Sequence, residues 1–224
     1  MVISIKFIVT AKIWIYGVIM YISVESYEEM YLKEKSEEAI LSEVGKMRNQ
    51  IKYLKDRIEN PSFAHEAINR AERISTLGIY RSYLLRAASV LSERRGGADI
   101  LSEEERVAIY FNDRLESLSE VSLLLGKRKF SINLANATAS VKDAAGCEHV
   151  ADRVRLLSDL RSLYMGEWRD RYLPSDYGCV IISPIIWNLR LSFNDNSADR
   201  EYSGEGVYPY NFENLLRIIG VSLD

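Results

Sequence analysis

Cysteine, proline and histidine are all scarce in this chain of 224 residues. The two cysteines, Cys147 and Cys179, are too few for a disulfide framework. Two free thiols are expected in a reducing compartment, and a single bridge would need an oxidising one. With four prolines and twelve glycines, the chain is neither fibrous nor of low complexity. Its net charge of −3, without a dense basic patch, predicts no general affinity for nucleic acid.

Motifs that would carry chemistry are lacking as well. The glycines of Gly96-Gly97 and Gly204-Glu205-Gly206 are accompanied by neither the lysine nor the Ser/Thr of a phosphate-binding loop. The chain has two histidines, and the sequence places no nucleophile beside either of them. We therefore predict no catalytic, cofactor-binding or metal-binding residue, and the sequence leans against an enzyme.

A long apolar segment opens the chain, residues 2–24, in which Lys6 and Lys12 are the only charges. Roughly 20 apolar residues suffice for a helix to cross a bilayer, so the segment predicts an N-terminal transmembrane anchor. Lys12 opposes insertion by about 2.5–3.5 kcal/mol. Buried strands, a core helix and a cleaved signal peptide are the alternatives. Lysines lie on both sides of the segment, so the orientation of the predicted transmembrane helix stays undetermined.

A charge-rich helical pattern follows and predicts one long helix over residues 25–59. Its apolar positions are separated alternately by four and three residues, the spacing of a heptad seam. Because the seam is short, an intramolecular hairpin with a second helix over 63–95 is favoured over a coiled-coil dimer. The seam consists of Ile40, Val44, Met47, Ile51, Leu54 and Ile58.

Three more helices are predicted before Pro174. The first opens with Ser102 and Glu105, whose side chains can accept from each other's backbone N–H groups in a capping box. The last carries a stripe of apolar residues at helical spacing and ends at Pro174. The three helices are expected at 103–125, 131–145 and 148–172.

After Pro174, the spacing of the apolar residues changes from that of a helix to that of a strand. Residues 185–193 alternate as in a half-buried strand, and Asn211 can cap a short final helix. The predicted fold class is therefore mainly α: a helical bundle with a long N-terminal helical hairpin, a short mixed C-terminal strand and helix, and an N-terminal transmembrane helix. The predicted domains are an anchor at 1–24, a bundle at 25–174 and a packed C-terminal element at 175–224.

Four groups of side chains have the composition of functional sites, and a structural role is the stronger interpretation for each. The metal candidate lacks the paired Cys and His spacings of a zinc site. The histidine candidate lacks a neighbouring nucleophile. The arginines of the second predicted helix face an acidic neighbouring helix, and the aromatic residues near the C-terminus are suited to packing the tail onto the bundle. The groups are Cys147-Glu148-His149 with Asp152 as a metal site, His65-Glu66 as an acid–base pair, Arg70, Arg73, Arg81 and Arg86 as an anion- or RNA-binding face, and Trp187 with Tyr202, Tyr208 and Tyr210 as a recognition surface.

These observations favour a membrane-tethered interaction or regulatory module without catalysis of its own. Its expected partners are the membrane and either another protein or a second copy bound through the helical seam, with no cofactor and no nucleic acid. The expected location is a membrane, crossed once, with a cytoplasmic location as the alternative. A soluble helical enzyme or nucleic-acid-acting effector whose first segment forms core strands is a second hypothesis, with His65, His149 and the arginines of the second helix as its candidates. A structural subunit of a larger assembly is the third.

Overall fold

A helical arm and a seven-stranded sheet make up the part of the chain that the computed structural model describes, residues 22–63, 70–135 and 139–221. The helical arm consists of α1 Val24–Tyr31, α2 Glu37–Glu59 and α3 Arg70–Arg94. The remaining elements are, in chain order, α4 Glu103–Arg114, β1 Leu118–Leu125, β2 Arg128–Asn133, β3 Ala139–Lys142, β4 Glu148–Ala151, α5 Arg153–Arg161, β5 Arg171–Tyr172, β6 Ile186–Phe193, β7 Arg200–Glu205 and α6 Phe212–Ile218.

The arm is an antiparallel hairpin of α2 and α3. Ser36 caps α2, since its hydroxyl accepts from the backbone N–H of Ala39 at 3.3 Å. The helix ends just before Pro61, which disfavours helical geometry in the preceding residue. Val44 of the seam is buried in one apolar cluster with Leu84 of α3. The seam is therefore covered within the chain.

The helix predicted over 25–59 is in fact two helices. A turn separates α1 from α2, and the guanidinium of Arg94 donates to three backbone carbonyls there, those of Leu32, Lys33 and Lys35. These carbonyls have no helical partner because α1 ends at this point. Arg94, at the end of α3, thus stabilises the turn between α1 and α2.

The sheet is antiparallel except for its last strand. Its order is β4-β3-β2-β1-β6-β7-β5, and only β5 runs parallel to its neighbour β7. The central pair is β1 with β6, in which Leu123 lies opposite Leu189. A two-residue turn, Gly126-Lys127, joins β1 to β2. Gly126 has φ +59, a conformation that glycine adopts without strain.

Alternating side chains give the sheet one apolar and one polar face. Leu123 and Leu189 point to the inner face and belong to the same buried cluster as Leu160 of α5 and Leu215 of α6. The residues between them, such as Ser122 of β1 and the half-buried residues of β6, face outward. The inner face therefore forms the core, and the outer face is open.

The prediction of a mainly α bundle is wrong. The last third of the helix predicted at 103–125 is the strand β1, the one at 131–145 overlaps β2 and β3, and the one at 148–172 contains β4, α5 and β5. In β1 the apolar residues fit helical as well as strand spacing, and strand pairing with distant β6 decides between them. No strand was predicted over 200–205, where the structure has β7. The capping box of Ser102 and Glu105 is confirmed at the start of α4.

The membrane and coiled-coil predictions need correction as well. Within the described ranges, no helix combines the length and the apolar character that crossing a bilayer requires. This finding contradicts the predicted single-pass location. Apart from residues 22–24, the predicted anchor at 2–24 lies outside the described residues. The heptad-like spacing belongs to the hairpin of α2 and α3 and not to a coiled coil between chains.

Candidate functional site

An apolar loop, residues 178–185, leads into β6 and is fixed to the rest of the fold. Near its start, the backbone N–H of Cys179 donates to the carbonyl oxygen of Pro174 at 3.2 Å. Ile181 turns inward and packs against Gly206, where an added Cβ would lie only 3.1 Å from the Ile181 Cδ1. The backbone of the loop is therefore pinned at its middle as well as at its start.

The residues on either side of Ile181 point into solvent. Val180 and Ile182 are each 91% exposed, and Ile186, at the start of β6, is 62% exposed. Isolated exposed apolar residues are ordinary on protein surfaces, but contiguous groups mark binding sites. We define the apolar rim as Leu124, Val180, Ile182, Ile185 and Ile186, all of them exposed.

Three basic residues adjoin the apolar rim. The backbone N–H of Gly126 donates to the carbonyl oxygen of Ile186 at 2.8 Å and so ties the β1–β2 turn to the rim. The next residues along the chain are Lys127, Arg128 and Lys129, all exposed. We refer to these three as the basic hairpin. Apolar and positively charged surfaces thus meet at one end of the sheet.

A cleft of about 330 Å³ opens beside the apolar rim. Val180 belongs to both the rim and the cleft wall. Two charged residues, Arg171 of β5 and Glu205 of β7, also line it. Most of the remaining wall is apolar and comes from Leu173, Pro174, Ile181 and Pro184. The cleft can therefore accept an apolar group and offers both signs of charge at its border.

A buried ion pair joins the helical arm to the sheet domain. Arg81 of α3 is 7% exposed and donates two hydrogen bonds of 2.7 Å to the carboxylate of Glu167. The Tyr164 ring stacks 4.0 Å from the guanidinium, and a third hydrogen bond, of 3.0 Å, links Arg81 to the hydroxyl of Tyr210. Burial raises the pKa of Glu167, but the hydrogen bonds and charge of Arg81 outweigh this effect and hold it below its usual range. Arg81 is thus a structural tie.

A second buried carboxylate, Glu59, lies at the end of α2. Burial raises the pKa of Glu59. Its oxygens accept from the hydroxyls of Tyr172 and Tyr177 and from the backbone N–H of Tyr210, at 3.4, 3.3 and 3.2 Å. A smaller cleft of about 230 Å³ borders it. Because these donors already use the carboxylate, its evident role is to join α2 to the segment before the apolar loop.

The residues considered as a metal site, Cys147, Glu148, His149 and Asp152, do not come together in the described part of the chain. Asp152 caps α5, accepting from two backbone N–H groups, while His149 lies on the edge strand β4 opposite Val141. Among the described residues, no three Cys, His, Asp or Glu side chains are grouped so that they could hold a metal ion. Cys147 is exposed and not bridged to Cys179. The pair His65-Glu66 lies outside the described residues.

The arginines of α3 do not form a common anion-binding face. Arg70 donates to the carbonyl oxygen of Ile58 at 3.0 Å, and Arg86 forms a two-pronged ion pair with Glu28 of α1 at 2.7 Å. Arg73 lies on the same helix and also has a partner within the chain. These contacts join the helices of the arm to their neighbours.

The aromatic group at the C-terminal end serves mainly as core. Tyr202 is fully buried and donates to the carbonyl oxygen of Met165 at 2.7 Å. Tyr208 stacks on Trp187, whose indole N–H donates to the carbonyl oxygen of Val207. The group therefore packs the tail onto the sheet and offers no broad recognition surface.

The apolar loop was not among the candidate sites identified from the sequence. It contains the apolar run from Cys179 to Ile182, for which no role was predicted. The signal that could have found it is the pair of chain breakers around the run, Gly178 and Pro184, which is typical of loops. Comparison of the chain with protein-family models, curated proteins and solved structures gives no match to any of them.

Proposed function

We propose that the protein is an interaction module without chemistry of its own, and that the apolar rim binds a partner protein. The observation that carries this proposal is the exposure of Val180 and Ile182, each 91%, on a loop that is pinned to the fold. Full burial of one such side chain contributes roughly 1.5–3 kcal/mol, so a partner would gain substantially from covering both. A binding surface that is already ordered loses little conformational entropy on binding.

The shape and charge around the rim also support recognition of a protein. Interfaces place a few apolar anchors in pockets and surround them with polar residues. The cleft beside Val180 provides such a pocket, and the basic hairpin provides a charged border. The heptad-like seam, by contrast, is buried within the hairpin of α2 and α3 and has no free surface to offer.

Site-specific photo-cross-linking tests the proposal. A photoreactive residue at position 182 is expected to give a defined protein adduct in the cells that naturally make the chain. The same residue in place of Val154, which is 76% exposed on α5, is the matched control. The identified partner, once purified, should bind the unmodified chain and not the Ile182→Asp variant. Equal adducts at both positions, or unimpaired binding of Ile182→Asp, would contradict the proposal.

A further inference from the structure

We infer that the partner presents an acidic segment with one large apolar side chain, which enters the cleft while its carboxylates meet the basic hairpin. This inference rests on the proposed function and names the chemistry of the partner. Two features carry it: the size and lining of the cleft, and the sign of the charge beside it.

The cleft has the dimensions of a pocket for a side chain. Its volume is about 330 Å³, many times the space that a single water molecule needs. A leucine or phenylalanine side chain with part of its backbone fits that space. The apolar lining from Leu173, Ile181 and Pro184 suits such a group.

The residues of the basic hairpin and of the cleft together carry a positive charge, although the chain as a whole carries a net charge of −3. The basic hairpin contributes three positive charges, and Arg171 of the cleft adds a fourth. Against them, the only acidic residue that lines the cleft is Glu205. Complementary potentials attract a partner and orient it, so carboxylates are the expected counterparts.

Two other occupants of such a surface are disfavoured, each for its own reason. A second copy bound about a two-fold axis would bring two basic hairpins together, which like-charge repulsion disfavours. A lipid bilayer would be expected to meet exposed tryptophan or tyrosine side chains. The apolar rim has neither, and a flat bilayer would leave the cleft with its charged residues Arg171 and Glu205 unfilled.

Fluorescence anisotropy with labelled dodecapeptides tests the inference directly. The probe is a glutamate-rich peptide with a single central leucine, and its two twins replace the leucine by alanine or every glutamate by lysine. The full chain is expected to bind the probe at least tenfold more tightly than either twin. Binding should weaken as salt is raised, because the charged groups are exposed.

Matched variants locate the peptide on the protein. The double variant Lys127→Glu, Lys129→Glu is expected to lose at least tenfold in affinity for the probe. The control is Lys35→Glu, a charge reversal at an exposed residue in the turn between α1 and α2, at the end of α2 that lies opposite to Glu59, which should leave the affinity unchanged.

The possible outcomes separate this inference from the proposed function. If the lysine peptide binds as well as the probe, or if vesicles of phosphatidylserine and phosphatidylcholine bind and the probe does not, the inference is overturned. If the probe does not bind, but Ile182→Asp abolishes binding of the cross-linked protein partner, the proposed function stands and the acidic chemistry of the partner is wrong. If the probe and the cross-linking both fail, both ideas fall.

Discussion

The ion pair of Arg81 and Glu167 offers a quantitative test of how the helical arm is held to the sheet. Replacing Arg81 by methionine keeps much of the apolar stem but removes both hydrogen bonds to the carboxylate. Glu167 would then keep only Lys55, whose Nζ lies 3.6 Å from its carboxylate. The Tyr210 hydroxyl would also lose its partner on Arg81, although it still donates to a backbone carbonyl. The variant therefore leaves a buried charge poorly compensated.

The expected cost follows from the burial. Removing one member of a buried ion pair destabilises a protein by about 3–5 kcal/mol. Because Lys55 remains beside Glu167, the lower end of that range, about 3 kcal/mol, applies. For a chain of this length, that loss corresponds to a fall in Tm of roughly 6–12 °C. Replacing both partners, as in Arg81→Met with Glu167→Leu, should restore part of the loss since no unpaired charge is then buried.

A matched control exists five residues along the same helix. Arg86 forms a bidentate pair with Glu28 at the same distance of 2.7 Å, but both side chains are about a third exposed. Pairs in that setting contribute about 1 kcal/mol or less. Urea and thermal unfolding of Arg81→Met and Arg86→Met would measure the difference. If the two variants lose equal stability, burial does not set the strength of these pairs and the reasoning is refuted.

Two further predictions concern buried positions. Because burial raises the pKa of Glu59, the folded state binds its proton more firmly than the unfolded state, and the contribution of this one carboxyl to stability falls as pH rises above about 4.3. Glu59→Gln should remove this contribution, so the free energy of unfolding of the variant, measured with urea, should rise relative to that of the parent chain between pH 4 and 8. An identical pH dependence in the two chains would contradict the raised pKa of Glu59. A Cβ on Gly204 would overlap Trp187 and lie 2.6 Å from the carbonyl oxygen of Val207, so Gly204→Ala should cost about 1–3 kcal/mol. Gly78 lies in α3, where an added Cβ meets no atom within 4 Å. Gly78→Ala should therefore raise the free energy of unfolding by about 0.5–1 kcal/mol. Thermal unfolding of the two glycine variants tests both expectations.

Local sequence signals predicted those parts of the fold that local interactions decide. The capping box of Ser102 and Glu105 begins α4 as expected, because its hydrogen bonds span only three residues. Pro61 likewise marks the end of α2. The alternation over 185–193 corresponds to β6, with a shift of one residue at its start.

The sheet was missed because its strands are defined by distant partners. In β1, Val121 and the leucines around it satisfy a helical stripe as well as a strand, and only their pairing with β6 selects the strand. Ala139 begins β3, although alanine-rich segments favour helix by intrinsic propensity. Intrinsic helix propensity predicts secondary structure only weakly where tertiary packing favours a different conformation. This competition explains why the helix predicted over 131–145 failed.

The candidate site was missed for a related reason. An apolar run such as Val180–Ile182 does not reveal from its composition whether it lies inside or outside the fold. The structure places Ile181 inward on Gly206 and leaves its two neighbours in solvent. The exposure of Val180 and Ile182 depends on the contact of Ile181 with Gly206, which follows β7 and is distant in sequence. By contrast, the arginines of α3 attracted attention as candidates for a functional face, and their partners show that they are structural.

The buried carboxylates explain why the helical arm matters to a surface at the far end of the sheet. Glu59 of α2 accepts from Tyr172 and Tyr177, the residues that bracket the short segment before the apolar loop. Arg169, just before β5, donates to Asp56 of the same helix at 2.9 Å. The position of the loop therefore depends on the C-terminal end of α2. The arm thus braces the segment that leads into the apolar loop, and with it the backbone of the apolar rim.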